Sequence, residues 1–161
     1  QALVGTFTVG GGLGETGAAL RWFELRRTGA ASWTLYQEGT FDPGDGRDRF
    51  VGSIAMDGSG NIAIGYSVSS SAMNPAIRYT ARLWSDALGT MQTESTLING
   101  TGSQTGSDRW GDYSAIAVDP VNDSTFWYTN EYYPVNATTT WKTRVGTFSV
   151  TKKRTGQVTS Q

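Results

Sequence analysis

Aromatic side chains stand beside an amide and a carboxylate in residues 126–133, which read Phe-Trp-Tyr-Thr-Asn-Glu-Tyr-Tyr. In sugar-binding sites, aromatic rings stack on the sugar while amide and carboxylate groups hydrogen-bond its hydroxyls. The residue types therefore indicate a glycan-binding surface, with Trp127, Asn130, Glu131 and Tyr133 as candidate ligand-binding residues. Aromatic packing between sheets is the alternative interpretation of the same segment.

A second candidate patch precedes this segment and adds a cation, a carboxylate and two aromatic rings: Arg109, Trp110, Asp112 and Tyr113. The last three would extend the sugar-binding surface, and Arg109 would be available at the rim to a ligand carboxylate. An Asp-Arg-aromatic triplet occurs at residues 48–50 and again at 108–110. An ion pair that braces a loop is therefore the plainer interpretation of these arginines.

Glu131 and Asp112 also form a candidate pair of catalytic carboxylates. Two carboxylates that flank a glycosidic bond can cleave it as acid and base or as acid and nucleophile. The chain contains no His and no Cys, which excludes a Ser-His-Asp triad, thiolate chemistry, disulfides and imidazole metal sites. A hydrolase of glycans that relies on carboxylates is thus an alternative to a binding protein without enzymatic activity.

Three carboxylates recur at every third position of a glycine-rich loop, at Asp42, Asp45 and Asp48. Oxygen ligands at such short spacing can hold Ca²⁺. The spacing differs from that of an EF-hand, and the corresponding loop near residues 101–108 lacks the first acids. An acidic, solvated turn is the alternative, and no other cofactor is predicted.

Composition limits the partners. Charged residues make up 17% of the chain and the net charge is -1, so no basic surface for nucleic acid is predicted. No stretch of apolar residues is long enough for a membrane span. Asn-x-Ser/Thr sequons, which are potential glycosylation sites but also common by chance in a Thr-rich chain, occur at Asn99, Asn122 and Asn136.

Turn signals divide the chain into short segments that favour strands. Gly, Thr and Ser interrupt any helical period, whereas Gly, Asn, Asp and Pro clusters separate runs rich in aromatic and β-branched residues. These patterns predict an all-β, antiparallel fold. Its strands are expected near residues 3–9, 19–27, 33–41, 52–56, 61–69, 76–84, 91–98, 113–118, 125–132 and 140–150.

Part of the chain is repeated. Residues 53–67 align with residues 115–129 at an offset of 62, which places Asp57 and Asp119 at equivalent hairpin corners. Residues kept in both copies are expected to serve the fold. In this alignment Trp127 replaces Gly65, and Asn130 and Glu131 replace Val68 and Ser69, so these one-copy residues are the better candidates for a site.

The repeat unit comprises four strands in about 60 residues, the strand count of a propeller blade. The units are predicted at residues 1–47 (partial), 48–107 (complete) and 108–150 (partial), with a tail at 151–161. On residues 61–67, large and small side chains alternate, which predicts that both faces of this strand are covered. Since a closed propeller needs at least about four blades, the expected partners are further blades of a longer chain or other protein chains.

The hairpin of residues 54–65, Ile-Ala-Met-Asp-Gly-Ser-Gly-Asn-Ile-Ala-Ile-Gly, resembles the Asp-x-x-Gly-Asn hairpin of secreted bacterial β-propeller repeats. Residues 21–150 resemble extracellular propeller proteins of the sialidase-like, BNR-repeat type. The stricter Asp-box pattern Ser-x-Asp-x-Gly-x-Thr-Trp is matched only at the aspartates, Asp57 and Asp119. The arginine triad, acid–base Asp and Tyr–Glu pair of a sialidase cannot be assigned by motif.

The resemblance implies an extracellular or cell-surface location and blades built from antiparallel strands. The leading hypothesis is a non-enzymatic propeller module for protein assembly or for binding to surfaces or glycans. A fragment of a sialidase-like hydrolase and a self-associating subunit of a fibre or ring are the two alternatives, the last because open sheet edges and faces favour pairing between chains.

Overall fold

The fold contains strands and turns but no helix in the part of the chain that the computed structural model describes, residues 1–10 and 17–151. The ten strands are β1 (Ala2–Gly10), β2 (Ala18–Arg26), β3 (Thr34–Phe41), β4 (Asp48–Met56), β5 (Ile62–Ser70), β6 (Met73–Arg82), β7 (Ser95–Ile98), β8 (Ala115–Val118), β9 (Thr125–Tyr132) and β10 (Lys142–Ser149). Each lies within a predicted segment or overlaps one. Nothing among these residues forms a helix that could cross a bilayer.

The strands form three separate sheets in chain order. The first sheet is β1-β2-β3, the middle sheet is β4-β5-β6-β7, and the third sheet is β8-β9-β10. Every pair of neighbouring strands in them is antiparallel. The predictions of an all-β class and of antiparallel sheets are therefore confirmed.

The middle sheet lies between the other two, and β5 shows this most clearly. Its large side chains Ile62, Ile64 and Tyr66 pack against Leu20 and Trp22 of the first sheet. Its small residues face the other way, where Ala63 packs with Phe126 of the third sheet. Both faces of β5 are thus covered, which is why apolar residues fill the strand without a polar alternation.

Small residues allow the middle and third sheets to approach closely. A Cβ atom added at Gly65 would lie 2.5 Å from the ring of Tyr128. Ala55, Ala63 and Ala81 form a row across the neighbouring strands, because Ala63 is paired with both of the others. At the edges of the sheets, β4 contacts β1 on one side and β8 on the other.

The offset of 62 is wrong beyond the hairpin turn of the third sheet. Asp57 donates its N–H to Asn61, but Asp119 donates to Thr125, so this turn contains two more residues. The pairing of Val118 with Phe126 then makes Phe126 the equivalent of Ile62, 64 residues apart. Trp127 accordingly replaces Ala63, and Asn130 and Glu131 replace Tyr66 and Ser67.

Candidate functional site

The loop that precedes β8 and the segment that precedes β10 enclose a hollow of about 320 Å³. Glu131, near the end of β9, contributes the strand side of the wall. We call this hollow the Trp110 cleft. Its lining combines two indole rings, side-chain hydroxyls and amides, and three charged groups: Gln104, Ser107, Arg109, Trp110, Gly111, Asp112, Glu131, Thr138, Thr139 and Trp141.

Trp110 is fixed in place by polar and aromatic contacts. Its Nε1–H donates to Ser67 Oγ at 3.0 Å, which connects the loop to β5 of the middle sheet. Its ring lies 5.6 Å from the ring of Tyr133, and Phe50 meets it edge-on at 6.2 Å. The indole is therefore held as a rigid wall of the cleft, with its polar atom already satisfied.

Asn130 and Tyr133 lie behind the cleft wall. Asn130 is buried, and its Nδ2 donates to Ser67 Oγ at 3.0 Å and to the Tyr128 hydroxyl at 2.9 Å. Tyr133 is also buried, accepts a hydrogen bond from Gln104 Nε2 at 3.1 Å and donates to the Thr138 carbonyl at 3.3 Å. Both follow the packing interpretation: they support residues of the wall and do not face the hollow.

Two carboxylates and one guanidinium give the cleft its charge. Asp112 accepts a hydrogen bond from Arg109, and Glu131 Oε1 accepts the backbone N–H of Gly111 at 3.2 Å. Burial and, to a smaller extent, the charge of Asp112 raise the pKa of Glu131 above its ordinary value, although the hydrogen bond from Gly111 opposes this. A carboxylate with a raised pKa beside a second carboxylate is able to act as an acid.

Tyr113 and Trp127, which the sequence placed in the same surface, lie outside the cleft lining. Tyr113 is 90% exposed although it follows Asp112 directly. Trp127 lies on the outward face of the third sheet, where its Nε1–H donates to Asp119 Oδ2 at 3.0 Å. The structure thus brings together Arg109, Trp110, Asp112 and Glu131 but not these two aromatic residues.

The three aspartates of the predicted calcium site have separate partners. Asp48 Oδ1 accepts the backbone N–H of Ala18, and Asp42 Oδ1 accepts that of Gly44, both at 2.8 Å. Asp45 binds the Arg49 guanidinium with both oxygens at 2.9 Å. Within residues 1–10 and 17–151, no three acidic, His or Cys side chains are grouped to hold a metal ion, so the structure gives the calcium prediction no support.

The two Asp-Arg-aromatic triplets occupy different environments. Arg49 is fully buried and binds Asp45 and Glu94, whereas Arg109 is largely exposed and binds Asp112. In both triplets the Arg forms its ion pairs with acids other than the Asp that precedes it. Both arginines brace loops, as the plainer interpretation held, but through partners that the triplets did not indicate.

Glu94 and its surroundings were missed by the sequence reasoning. Its carboxylate accepts hydrogen bonds from Arg49 at 3.0 Å, from Tyr66 at 2.9 Å and from Arg78 at 3.3 Å. A hollow of about 560 Å³ opens beside it, between residues 40–45 and 89–94. In the sequence, Glu94 is a single carboxylate within a predicted strand. No local pattern indicates that its hydrogen-bond partners come from three other strands.

Trp141 was also missed as a lining residue of the Trp110 cleft. The sequence assigned it to a repeated strand, but β10 begins one residue later, at Lys142. The sequon residues Asn99, Asn122 and Asn136 are all exposed, and each carbonyl oxygen already accepts a hydrogen bond.

Comparisons with protein-family models, with curated proteins and with solved structures gave no match to this chain.

Proposed function

We propose that this chain is a non-enzymatic module that binds glycans in the Trp110 cleft. The observation that carries the proposal is the lining of this hollow, in which the half-exposed ring of Trp141 and the fixed ring of Trp110 accompany Thr138, Thr139 and Glu131. Aromatic faces beside hydroxyl and carboxylate groups match the alternating apolar and hydroxylated surface of a sugar.

The scaffold that we propose is of the β-propeller type, as in extracellular repeat proteins. Three features support it: the sheets are antiparallel meanders in chain order, they pack face to face, and β4 contacts both β1 and β8. An extracellular or cell-surface location is part of the same proposal, and it rests on the resemblance to extracellular propeller repeats.

A glycan array with the fluorescently labelled chain, followed by calorimetric titration of the oligosaccharide that binds best, tests the proposed binding. Trp141→Ala should weaken that binding at least about tenfold, because it removes the exposed stacking surface. Trp84→Ala is the matched control, since Trp84 is also exposed (68%, against 51% for Trp141) but lies outside the cleft. Binding to no saccharide, or equal binding by Trp141→Ala and the wild type, would contradict the proposal.

A hydrolase is the second candidate, and the raised pKa of Glu131 beside Asp112 favours it. Glu131 would protonate the leaving-group oxygen, and Asp112 would act as base or nucleophile. The test is a panel of chromogenic glycosides with the wild type, Glu131→Gln and the control Glu38→Gln, an exposed carboxylate on another sheet. Release of chromophore that only Glu131→Gln abolishes would establish hydrolysis; no release from any substrate would leave binding as the function.

A further inference from the structure

The interface between the middle and third sheets shows how two sheets of this chain fit together. The middle sheet contributes the row of Ala55, Ala63 and Ala81, with Tyr79 as a large ring beside it. The third sheet contributes Phe126 and Phe148, together with the apolar side chains packed around them. Tyr79 stacks on Phe148 with ring centroids 3.7 Å apart. At this interface, the middle sheet thus presents small residues and one ring, and the third sheet packs bulky residues against them.

The outward face of the first sheet is of the bulky kind. Strand pairing places Leu3, Leu25 and Leu35 in one row across the three strands, on the face opposite Trp22 and Leu20. Phe7 and Phe23 belong to the same face, and Phe7, Leu3 and Leu35 are each about half exposed. The face also carries the ion pair between Arg21 and Glu38, which a covering partner would have to accommodate. In the middle sheet, the corresponding face is the one that is turned toward the preceding sheet. It carries Ile62, Ile64 and Tyr66, and the first sheet covers it.

The outward face of the third sheet is of the small kind. Pairing places Ala115, Thr129 and Val145 in one row and Ala117, Trp127 and Thr147 in the next. Trp127 is the large ring among small residues, as Tyr79 is in the middle sheet. Beside it lies a hollow of about 270 Å³ that Ala115, Ala117, Trp127, Thr129 and Val145 help to line.

We propose that a second copy of this chain covers these faces head to tail, with the bulky outward face of one first sheet against the small outward face of another third sheet. This contact has the same arrangement as the interface between the middle and third sheets, with Trp127 at the position of Ala63 and Val145 at that of Tyr79. Two small faces would leave unfilled space between them, so the small face of the third sheet requires a bulky partner face. A head-to-tail contact yields rings or filaments.

The expected strength follows from the size of the faces. In the first sheet, three strands of about eight residues span roughly 14 Å by 27 Å, or about 400 Å² of sheet plane. The third-sheet face is smaller, because β8 has only 4 residues. These areas lie near the lower limit for specific interfaces, so association should be reversible and should depend on concentration. Ring closure gives each copy two such contacts and raises the effective affinity.

The first experiment measures mass in solution against protein concentration by sedimentation. Leu35→Glu places a charge on the first-sheet face, and Val145→Glu places one on the third-sheet face. Each substitution should raise the dissociation constant of self-association at least about tenfold. Leu88→Glu and Val135→Glu are matched controls, because Leu88 is as exposed as Leu35 (55% each) and Val135 is close to Val145 (60% and 58%), but both lie in loops. Circular dichroism confirms that all four variants fold.

The second experiment mixes the two single-face variants. Leu35→Glu keeps an intact third-sheet face, and Val145→Glu keeps an intact first-sheet face. The mixture should therefore form a one-to-one dimer, which neither variant can form with itself. The dimer should not grow further, because its free ends are the damaged faces. A wild type that stays monomeric at every concentration, controls that dissociate as the face variants do, or a mixture that stays monomeric would overturn the proposal.

Discussion

At the scale of single residues, Gly65 sets the distance between the middle and third sheets. Its position has no unusual backbone conformation, so the requirement for glycine comes from the ring of Tyr128 alone. Gly65→Ala should lower the free energy of unfolding by about 1–3 kcal/mol, because the added methyl group overpacks the interface. Gly10→Ala, at a strand position with nothing within 4 Å, is the control and should be close to neutral.

Chemical denaturation of both variants measures this difference. Equal stability of Gly65→Ala and the wild type would mean that the two sheets move apart at little cost.

The carboxylate of Glu131 should destabilise the folded protein at neutral pH. Its folded-state pKa is raised, chiefly by burial, so its ionisation is disfavoured in the folded protein compared with the unfolded chain. Glu131→Gln should therefore raise the melting temperature at neutral pH, since Gln still offers an oxygen to the Gly111 N–H. The gain should vanish as the pH falls below the unfolded-state pKa, where the carboxyl is protonated in both states.

Thermal melts of the wild type and Glu131→Gln across this pH range provide the measurement. If Glu131→Gln remains equally stabilising in acid, the effect arises from packing and not from the charge of Glu131.

At the scale of strands and loops, Glu94 connects β7 not only to its pairing neighbour β6 but also to β4 and β5, which do not pair with it. It precedes β7, whereas its partners Arg49, Tyr66 and Arg78 lie on β4, β5 and β6. Burial alone would lower the pKa of Arg49, but the hydrogen bonds from its guanidinium to Asp45 and Glu94 outweigh this and raise it. The carboxylate thus balances buried positive charge along the whole width of the middle sheet.

Glu94→Gln should lower the free energy of unfolding by about 2–4 kcal/mol, because it leaves the arginines with less compensation. Glu38→Gln, measured in dilute solution where the first-sheet face is uncovered, is the matched control: its ion pair with Arg21 is then solvent-exposed, and its loss should cost less than about 1 kcal/mol. Urea titrations compare the two, and similar losses would show that the buried network adds little beyond a surface pair.

The elements were predictable from the sequence because turn chemistry is local. Gly-, Asp- and Asn-rich clusters divided the chain into ten strands in the right places. The alternation along β9 was equally readable: Phe126, Tyr128 and Asn130 point inward and are buried, while Trp127 and Glu131 lie on the other face. Treating this whole segment as one sugar-binding surface ignored that period of two.

The composition of the Trp110 cleft was only partly predictable. Trp141 and Trp110 are 31 positions apart and line the same hollow because two loops come together, an arrangement that no local pattern encodes. The alignment of the repeats failed for a related reason: the longer turn after Asp119 shifts β9 by two residues, which preserves inward and outward facing and therefore leaves the apolar pattern intact.

At the scale of the whole molecule, the three sheets are unequally covered. The middle sheet has a neighbour on each face, and its inner strand β5 is buried along almost its entire length. By contrast, within residues 1–10 and 17–151 β10 pairs with β9 alone, and it is largely exposed. Unequal coverage implies unequal local stability, because segments with few buried contacts open without unfolding the rest.

Hydrogen exchange should therefore separate β5 from β10. Amides of β5 should exchange only through global unfolding, with the free energy that denaturation reports, whereas β10 should exchange through local opening and lose protection first. Val145→Glu in dilute solution is the form to measure, because self-association through the third sheet would otherwise protect β10. If β10 in that variant is protected as strongly as β5, the chain unfolds as one unit, and the exposed third sheet is stable without a covering partner.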